Sequence, residues 1–79
     1  MDIQVLFFGA TADWVGHREL TLSINNKAAT ADVVEQLISQ YSLLKDRKLK
    51  IAVNQQYAKG NEIIRDGDEL AIFTAVSGG

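Results

Sequence analysis

The sequence contains no cysteine and no proline, and His17 is its only histidine. Without cysteine there is no disulfide framework, no thiolate nucleophile and no cysteine ligand for a metal ion. One histidine forms neither a histidine cluster nor a cysteine–histidine catalytic pair. No apolar run approaches the roughly 20 residues that span a bilayer, and the N-terminal residues lack the pattern of a signal peptide. We therefore expect a cytoplasmic protein without a membrane partner.

The chain is short and nearly balanced in charge. Its 79 residues allow one domain with a modest core and leave little room for a buried multi-residue active site. The formal net charge of -2 provides no basic field of the kind that general nucleic-acid binding requires. We therefore expect a single domain over residues 1–79 that acts as a carrier or binding module. We expect no nucleic-acid partner, and no metal or cofactor bound by this chain.

Apolar periodicity divides the chain into strands and one main helix. Strands are predicted where β-branched and aromatic residues run together or alternate with polar residues. A helix is predicted over 31–41, with Thr30 as its N-cap, because apolar residues recur there at helical spacing. Segment 9–17 is expected to be a loop. The predicted strands are 3–8, 19–24, 49–53, a short strand at 55–58, and 69–73.

This order of elements predicts an α+β fold. A single helix covers only one face of a sheet, and the first and last strands are apolar enough to lie side by side in its middle. The result is the β-grasp arrangement, with a mixed sheet of four to five strands and an extended tail over about 74–79. The helix would cover alternate strand residues, namely Ile3, Val5, Phe7, Leu20, Leu22, Ile24, Ile51, Val53, Leu70 and Ile72.

The opposite face of the sheet is predicted to be apolar on its central strands. Its outward positions there are Leu6, Phe8, Ala71 and Phe73, with Ala52 and Tyr57 nearby on the neighbouring strands. Contiguous exposed apolar surface on a small domain usually marks a partner site, and aromatic side chains dominate such contacts. Leu6, Phe8, Tyr57 and Phe73 are therefore the candidate interface residues.

Two alternative arrangements would bury the same apolar residues within the domain itself. Segment 9–17 contains Trp14 and Val15, and in the first arrangement it folds across the outer face and covers it. In the second, a bulge in the last strand turns Phe73 into the core. Either arrangement would leave no apolar surface for a partner at that position.

The sequence ends in Gly78-Gly79, a pair that suits chemistry on a terminal carboxylate. Neither residue has a Cβ, so the last peptide units can enter a narrow channel and present an unhindered carboxyl group. The rest of the chain offers no nucleophile with a neighbouring base. We therefore expect the terminal carboxylate to carry the chemistry, although two glycines also occur at ends that serve no function.

Three stretches of the sequence together resemble one family. They are Asp66–Phe73 with the Val76–Gly79 end, the opening Val5–Ala10, and Val53–Gln55 after the third strand. These stretches resemble the small subunit of molybdopterin synthase, the MoaD-type sulfur carriers, and the resemblance covers essentially the whole chain. Members often carry two prolines before the Val-x-Gly-Gly end, where this chain has Thr74-Ala75. Without proline the tail is expected to be less pre-organised before docking.

The resemblance implies that Gly79 is the reactive residue. An E1-like adenylating enzyme would use ATP and Mg to join the Gly79 carboxylate to AMP, and sulfur would then displace AMP to leave a thiocarboxylate. The tail, with Val76, Ser77 and Gly78 extended, would enter the large subunit of the synthase. There it would donate sulfur to cyclic pyranopterin monophosphate in molybdenum cofactor biosynthesis. The chain would be non-catalytic alone, as the small subunit of a two-subunit sulfurtransferase in the family's usual heterotetramer.

Three alternative functions share these features. A thiamin-type sulfur carrier and a ubiquitin-like protein modifier also end in Gly-Gly, so the dipeptide does not separate them. A modifier would form isopeptide bonds with lysine side chains. A non-covalent interaction module would bind through the sheet alone, and truncation of its tail would change nothing.

Overall fold

The computed structural model describes residues 1–74, and residues 75–79 lie outside the described part. The predicted reactive Gly79 and the predicted docking residues Val76, Ser77 and Gly78 therefore fall outside it. Along residues 1–74 the elements are β1 (Asp2–Phe7), α1 (Ala10–Val15), β2 (Glu19–Ser23), α2 (Thr30–Gln40), a 3-10 helix (Ser42–Leu44), β3 (Leu49–Val53), β4 (Gln56–Tyr57) and β5 (Glu69–Thr74).

The predicted strands and main helix are confirmed, with shifts of at most one residue at their ends. β1 ends at Phe7, so Phe8 lies just beyond the strand. β2 ends at Ser23, and β4 is only two residues long. β5 extends to Thr74, so the tail predicted to start at about residue 74 begins after that residue.

The strands form a single sheet in the order β2-β1-β5-β3-β4. β1 and β5 are parallel neighbours, and every other pairing is antiparallel. The first and last strands therefore lie side by side, as predicted, with β5 at the centre. Because β5 is central, the segment that follows it leaves from the middle of one end of the sheet.

One face of the sheet forms the core with α2. Val5, Leu70 and Ile72 from the central strands are fully buried, as are Val33 and Leu37 of α2. Burying one such side chain contributes roughly 1.5–3 kcal/mol. The other predicted core residues are buried or packed against these, namely Ile3, Phe7, Leu20, Leu22, Ile24, Ile51 and Val53. A mixed sheet with one main helix on one face is the ubiquitin-like β-grasp fold, which confirms the predicted fold class.

The prediction that segment 9–17 is a loop is wrong, because residues 10–15 form helix α1. Gly9, with φ 58°, lets the chain turn directly after β1. Gly16 ends the helix in the left-handed conformation, and its N–H donates to the carbonyl of Ala12 at 2.8 Å. Six residues make less than two helical turns, which is too few for the apolar spacing of a helix to be recognised in the sequence.

The prediction that Thr30 is the N-cap of the main helix is also wrong. Thr30 is the first helical residue and is fully buried, and Ala29 takes the cap position. The Asp32 carboxylate accepts the Ala29 N–H at 2.9 Å. The first N–H groups of α2 donate instead to carbonyls of a later loop, Thr30 to Glu62 at 2.8 Å and Ala31 to Gly60 at 2.9 Å. A contact across 30 residues replaces the local cap that the sequence suggested.

The Glu62 side chain stabilises that later loop through hydrogen bonds with the loop backbone. Its two carboxylate oxygens accept the N–H groups of Lys59 at 2.6 Å and Gly60 at 2.9 Å. These backbone donors stabilise the ionised form and lower the pKa of the Glu62 carboxyl from 4.5 to about 2. The loop that caps α2 is thus held by a carboxylate that stays ionised in mildly acidic solution.

The turn at Asp66-Gly67-Asp68, just before β5, is tied to two distant segments. Gly67 adopts φ 83° between its two aspartates. The Asp66 carboxylate accepts the Asp2 N–H at 2.9 Å, which joins the turn to the start of β1. The Asn54 side-chain amide donates to Asp68 at 3.0 Å, and its oxygen accepts the Glu69 N–H at 3.0 Å. The start of β5 is therefore fixed from both sides.

Candidate functional site

The outer face of the sheet carries a contiguous apolar patch, formed by Leu6, Phe8, Ala52, Tyr57, Ala71 and Phe73. Leu6 lies opposite Ala71 on β5, and Ala71 lies opposite Ala52 on β3. Ala52 in turn lies opposite Tyr57 on β4. Directly paired residues project from the same face of a sheet, so these side chains form one row across four strands.

The aromatic members of the patch differ in their position and exposure, since Tyr57 belongs to the row with Ala71, whereas Phe73 lies near the end of β5. Tyr57 is 79 % exposed and Phe8 is 52 % exposed, whereas Leu6 and Phe73 are half-buried. The Tyr57 and Phe73 rings lie 5.9 Å apart in a tilted arrangement. In the row across the strands, the small side chains of Ala71 and Ala52 lie between those of Leu6 and Tyr57. The structure therefore brings the four predicted interface residues together on one accessible surface.

Both alternative arrangements of these apolar residues are contradicted by the structure. β3 and β5 pair without interruption from Leu49 opposite Thr74 to Val53 opposite Leu70, so no bulge turns Phe73 into the core. Helix α1 does not lie across the patch, because its Val15 is buried in the core and its Trp14 packs against that core. The Arg47 guanidinium carbon lies over the Trp14 ring, 4.4 Å from the ring centroid.

The patch changes character along the strand direction. Two residues before Leu6 and Ala71, toward the start of each strand, the outward positions on the two central strands are Gln4 and Glu69. Toward the end of β5 they are Phe8 and Phe73. The outward surface of these two strands is therefore polar where β5 begins and apolar where the chain continues beyond Thr74, and on the neighbouring strand β3 the exposed Lys50 lies opposite Phe73. A partner that binds the apolar end of the sheet would contact the root of the tail as well.

A groove of about 950 Å³ adjoins the patch and shares Tyr57 and Phe73 with it. It runs between α2 and the edge of β3, with Val34 and Ile38 of α2 on one wall. β4 pairs only with Ala52 and Val53, so the first half of β3 is open toward this groove. Sequence reasoning missed the groove because it depends on how short β4 is. The accessible apolar surface therefore continues from the outer face around the sheet edge.

The described residues provide an accessible apolar surface. Within residues 1–74 no cluster of three or more histidine, cysteine, aspartate or glutamate side chains is placed to hold a metal ion. His17 is exposed. No helix in this part of the chain has the length and hydropathy to span a membrane.

Comparison with known proteins places the chain in a family. The sequence model of the ThiS family matches residues 5–79, which include both the apolar patch and the Gly-Gly end. The chain belongs to the ThiS family. Membership confirms the resemblance to sulfur carriers that the sequence motifs indicated, since relatives named as such carriers match this ThiS-family chain along its full length.

Three similar proteins illustrate what this ThiS-family chain is related to. It is 36 % identical over 84 residues to a protein of Chlamydomonas reinhardtii named molybdopterin synthase sulfur carrier subunit, and the match covers 100 % of both chains. Its fold is similar to that of small archaeal modifier protein 1 of H. volcanii, with a TM-score of 0.87, 22 % identity and coverage of 95 % and 98 %. It is also similar to a chain in the complex of subunits 1 and 2 of molybdopterin-converting factor from Helicobacter pylori. There the TM-score is 0.71 and the identity 22 %, with 100 % of both chains covered.

Proposed function

We propose that this chain is the sulfur-carrier subunit of a molybdopterin synthase and that Gly79 carries the sulfur as a thiocarboxylate. The observation that carries the proposal is the position of the apolar patch. It extends from the middle of the central strand β5 to Phe73 near its end, and the chain leaves the sheet from that same end at Thr74. One docking event on the patch would thus bring the tail to the partner. The full-length similarity to a protein named as such a subunit supports the same function.

The first chemical stage takes place on an E1-like adenylating enzyme that binds ATP and Mg. A Gly79 carboxylate oxygen attacks the α-phosphorus of ATP, and pyrophosphate leaves. The product is a mixed anhydride between the carboxyl group and AMP. A sulfur nucleophile at the oxidation level of sulfide then attacks the carbonyl carbon. The bond from that carbon to the bridging oxygen breaks, and AMP leaves with this oxygen. The lack of side chains on Gly78 and Gly79 suits this stage, because no Cβ obstructs the approach to the carbonyl carbon.

The second stage takes place on the large subunit of the synthase. The tail, with Val76, Ser77 and Gly78 extended, enters the large subunit, where the thiocarboxylate sulfur attacks a carbon of cyclic pyranopterin monophosphate and an oxygen substituent leaves that carbon. Water then hydrolyses the resulting thioester, so that the sulfur stays on the product and Gly79 is released as a carboxylate. A dithiolene contains two sulfur atoms, so two charged carriers are used for each molecule of product. The similarity to a chain in a complex of two converting-factor subunits supports a large-subunit partner. A heterotetramer of two small and two large subunits belongs to this proposal.

The apolar patch has the properties expected of the docking surface in both stages. Phe8 and Tyr57 present exposed aromatic rings, and such side chains supply much of the binding energy at protein interfaces. Five residues follow Thr74, and an extended chain of five residues reaches at most about 18 Å. The active site of each partner must therefore lie within that distance of its contact with Thr74. The proposal places the chain in the cytoplasm and gives it no cofactor of its own, because the activating partner uses the ATP and Mg.

The intact mass of the chain tests this proposal. The full chain is incubated with ATP, Mg, an E1-like adenylating enzyme and a sulfide source, and a chain lacking Gly79 serves as the matched control. The expected result is a mass gain equal to the exchange of one oxygen for sulfur in the full chain alone. Conjugates with lysine side chains on a denaturing gel would instead identify a protein modifier. The absence of any gain, with an enzyme shown to charge another carrier, would contradict the carrier function.

A further inference from the structure

Thr11 is a buried polar residue for which the proposed chemistry has no use. It lies in α1 and has no exposed surface. Its hydroxyl oxygen is 2.7 Å from the carbonyl oxygen of Phe8 and 3.0 Å from the carbonyl oxygen of Ile72. A hydroxyl group has one proton, so Thr11 donates to the two carbonyls by sharing that proton between them. The two acceptors are separated by most of the chain, and the hydroxyl connects them.

These two carbonyls lie where the pairing of β1 and β5 stops. The Phe8 N–H donates to the Ile72 carbonyl at 3.0 Å, just beyond the last residue of β1. The next two residues of β5, Phe73 and Thr74, are paired on the β3 side only. Ile72 is therefore the last position at which β5 is held from the β1 side. Thr11 strengthens the contact at that position.

The turn at Gly9 is what brings Thr11 to this position. Its positive φ of 58° folds the chain back directly after Phe8, and the Thr11 N–H then also donates to the Phe8 carbonyl at 3.3 Å. Helix α1 thus closes over the end of the β1–β5 pair from the core side. The exposed Phe8 ring lies on the opposite side of the same backbone segment.

We infer that Thr11 is a positioning residue that holds Phe8 and the end of β5 as one preformed surface for the partner. The inference rests on the proposed function, because it assigns this surface to docking. Its physical basis is preorganisation: a partner that binds a surface already in place does not have to order it. Without the hydroxyl, Phe8 and the root of the tail would be joined by a single backbone hydrogen bond.

Replacing Thr11 with valine tests the inference without disrupting the core. Valine has nearly the same shape, and both carbonyls keep a backbone donor, since Phe8 retains the Thr11 N–H and Ile72 retains the Phe8 N–H. Thr11→Ser restores the hydroxyl and serves as the rescue variant. Thr30→Val is the matched control. Thr30 is also buried, and its hydroxyl also donates to a carbonyl, that of Glu62 at 3.2 Å, at the start of α2.

The first readout needs no partner. Amide hydrogen exchange is followed by NMR, and the rate at Phe8 is compared with that at the core residue Leu37 in the same sample. In Thr11→Val the Phe8 amide is expected to exchange about fivefold faster relative to Leu37, the size of effect that one hydrogen bond produces. Thr11→Ser and Thr30→Val are expected to keep the original ratio. An unchanged ratio in Thr11→Val would overturn the inference.

The second readout is docking to the large subunit of a molybdopterin synthase. Thr11→Val is expected to raise the dissociation constant about fivefold, with the rate of sulfur transfer at saturating partner unchanged. Thr11→Ser and Thr30→Val are expected to bind like the original chain. Equal weakening in Thr11→Val and Thr30→Val would assign a structural role alone and would overturn the inference. If the original chain itself fails to bind, the proposed function fails, and the exchange ratio at Phe8 still decides whether Thr11 positions that residue.

Discussion

Replacing Phe8 with alanine is expected to weaken docking to the large subunit while leaving the domain folded. Phe8 is 52 % exposed and lies just after β1, so its ring contributes more to the surface of the patch than to the core. The variant also loses the packing contacts of the buried part of the ring. That loss is smaller than for a fully buried phenylalanine, whose removal costs about 3–5 kcal/mol.

The expected size of the docking effect follows from the area that a partner would cover. An aromatic side chain buries roughly 200 Å² when it is fully enclosed, and about half of the Phe8 side chain is exposed before docking. Covering ~100 Å² at ~25 cal/mol per Å² corresponds to about 2.5 kcal/mol. Alanine keeps the Cβ, so we expect a loss of about 2 kcal/mol, which raises the dissociation constant about 30-fold.

The assay is a calorimetric titration of each carrier variant with the large subunit, together with thermal unfolding of each carrier alone. Leu43→Ala is the matched control, because Leu43 is 55 % exposed and lies in the 3-10 helix, outside the patch. It is expected to bind like the original chain. If Phe8→Ala bound within a factor of two of the original chain, the patch would not be the docking surface. Equal weakening of docking by Phe8→Ala and Leu43→Ala would refute the argument that docking depends on a residue's position in the patch.

Three further predictions concern the tail, one pKa and the core. Deletion of Gly79 is expected to abolish the mass gain on charging and the transfer of sulfur while leaving the melting temperature unchanged, because the observed core lies within residues 1–74; a large drop in melting temperature would contradict this. Glu62→Gln is expected to lower the free energy of unfolding at neutral pH, measured by urea titration. Because the folded-state pKa of Glu62 is about 2 and its ordinary value is 4.5, the carboxylate's contribution is complete above 4.5 and is lost as the pH falls through about 2. The variant and the original chain should therefore converge at low pH, and a gap of constant size would contradict the prediction. Leu37→Ala removes a fully buried side chain and is expected to cost about 2–5 kcal/mol, whereas Glu35→Ala on the exposed side of α2 should cost less than about 0.5 kcal/mol, both measured by chemical unfolding.

The secondary structure was largely predictable because it depends on local periodicity. Alternating apolar residues identified the long strands, and helical spacing identified α2. The Asp66-Gly67-Asp68 turn follows from residue chemistry, since glycine adopts positive φ without strain. Helix α1 was missed because six residues contain too little periodicity. Its boundaries depend on Gly9 and Gly16, which are equally compatible with a loop.

The candidate site was predictable in composition and not in arrangement. Parity alone assigned Leu6, Phe8 and Phe73 to the outer face. The strand registers confirm this for Leu6 and Phe73, and Phe8 just beyond β1 is exposed. Parity does not say which residue of one strand lies opposite which residue of another. The row from Leu6 to Tyr57 exists because the registers of three strand pairs align, and register is a property of the assembled sheet.

The amino-acid sequence by itself determined the strands, the main helix α2, the two faces of the sheet and the Gly-Gly end. Each of these follows from residues that are close in the chain or from the chemistry of single side chains. Only the tertiary structure decided the contacts between distant segments, such as the Thr11 hydroxyl with the Ile72 carbonyl and the Glu62 carbonyl with the start of α2. The physical reason is range: periodicity and turn chemistry act over a few residues, whereas these hydrogen bonds form only after 30 to 60 intervening residues have folded into place.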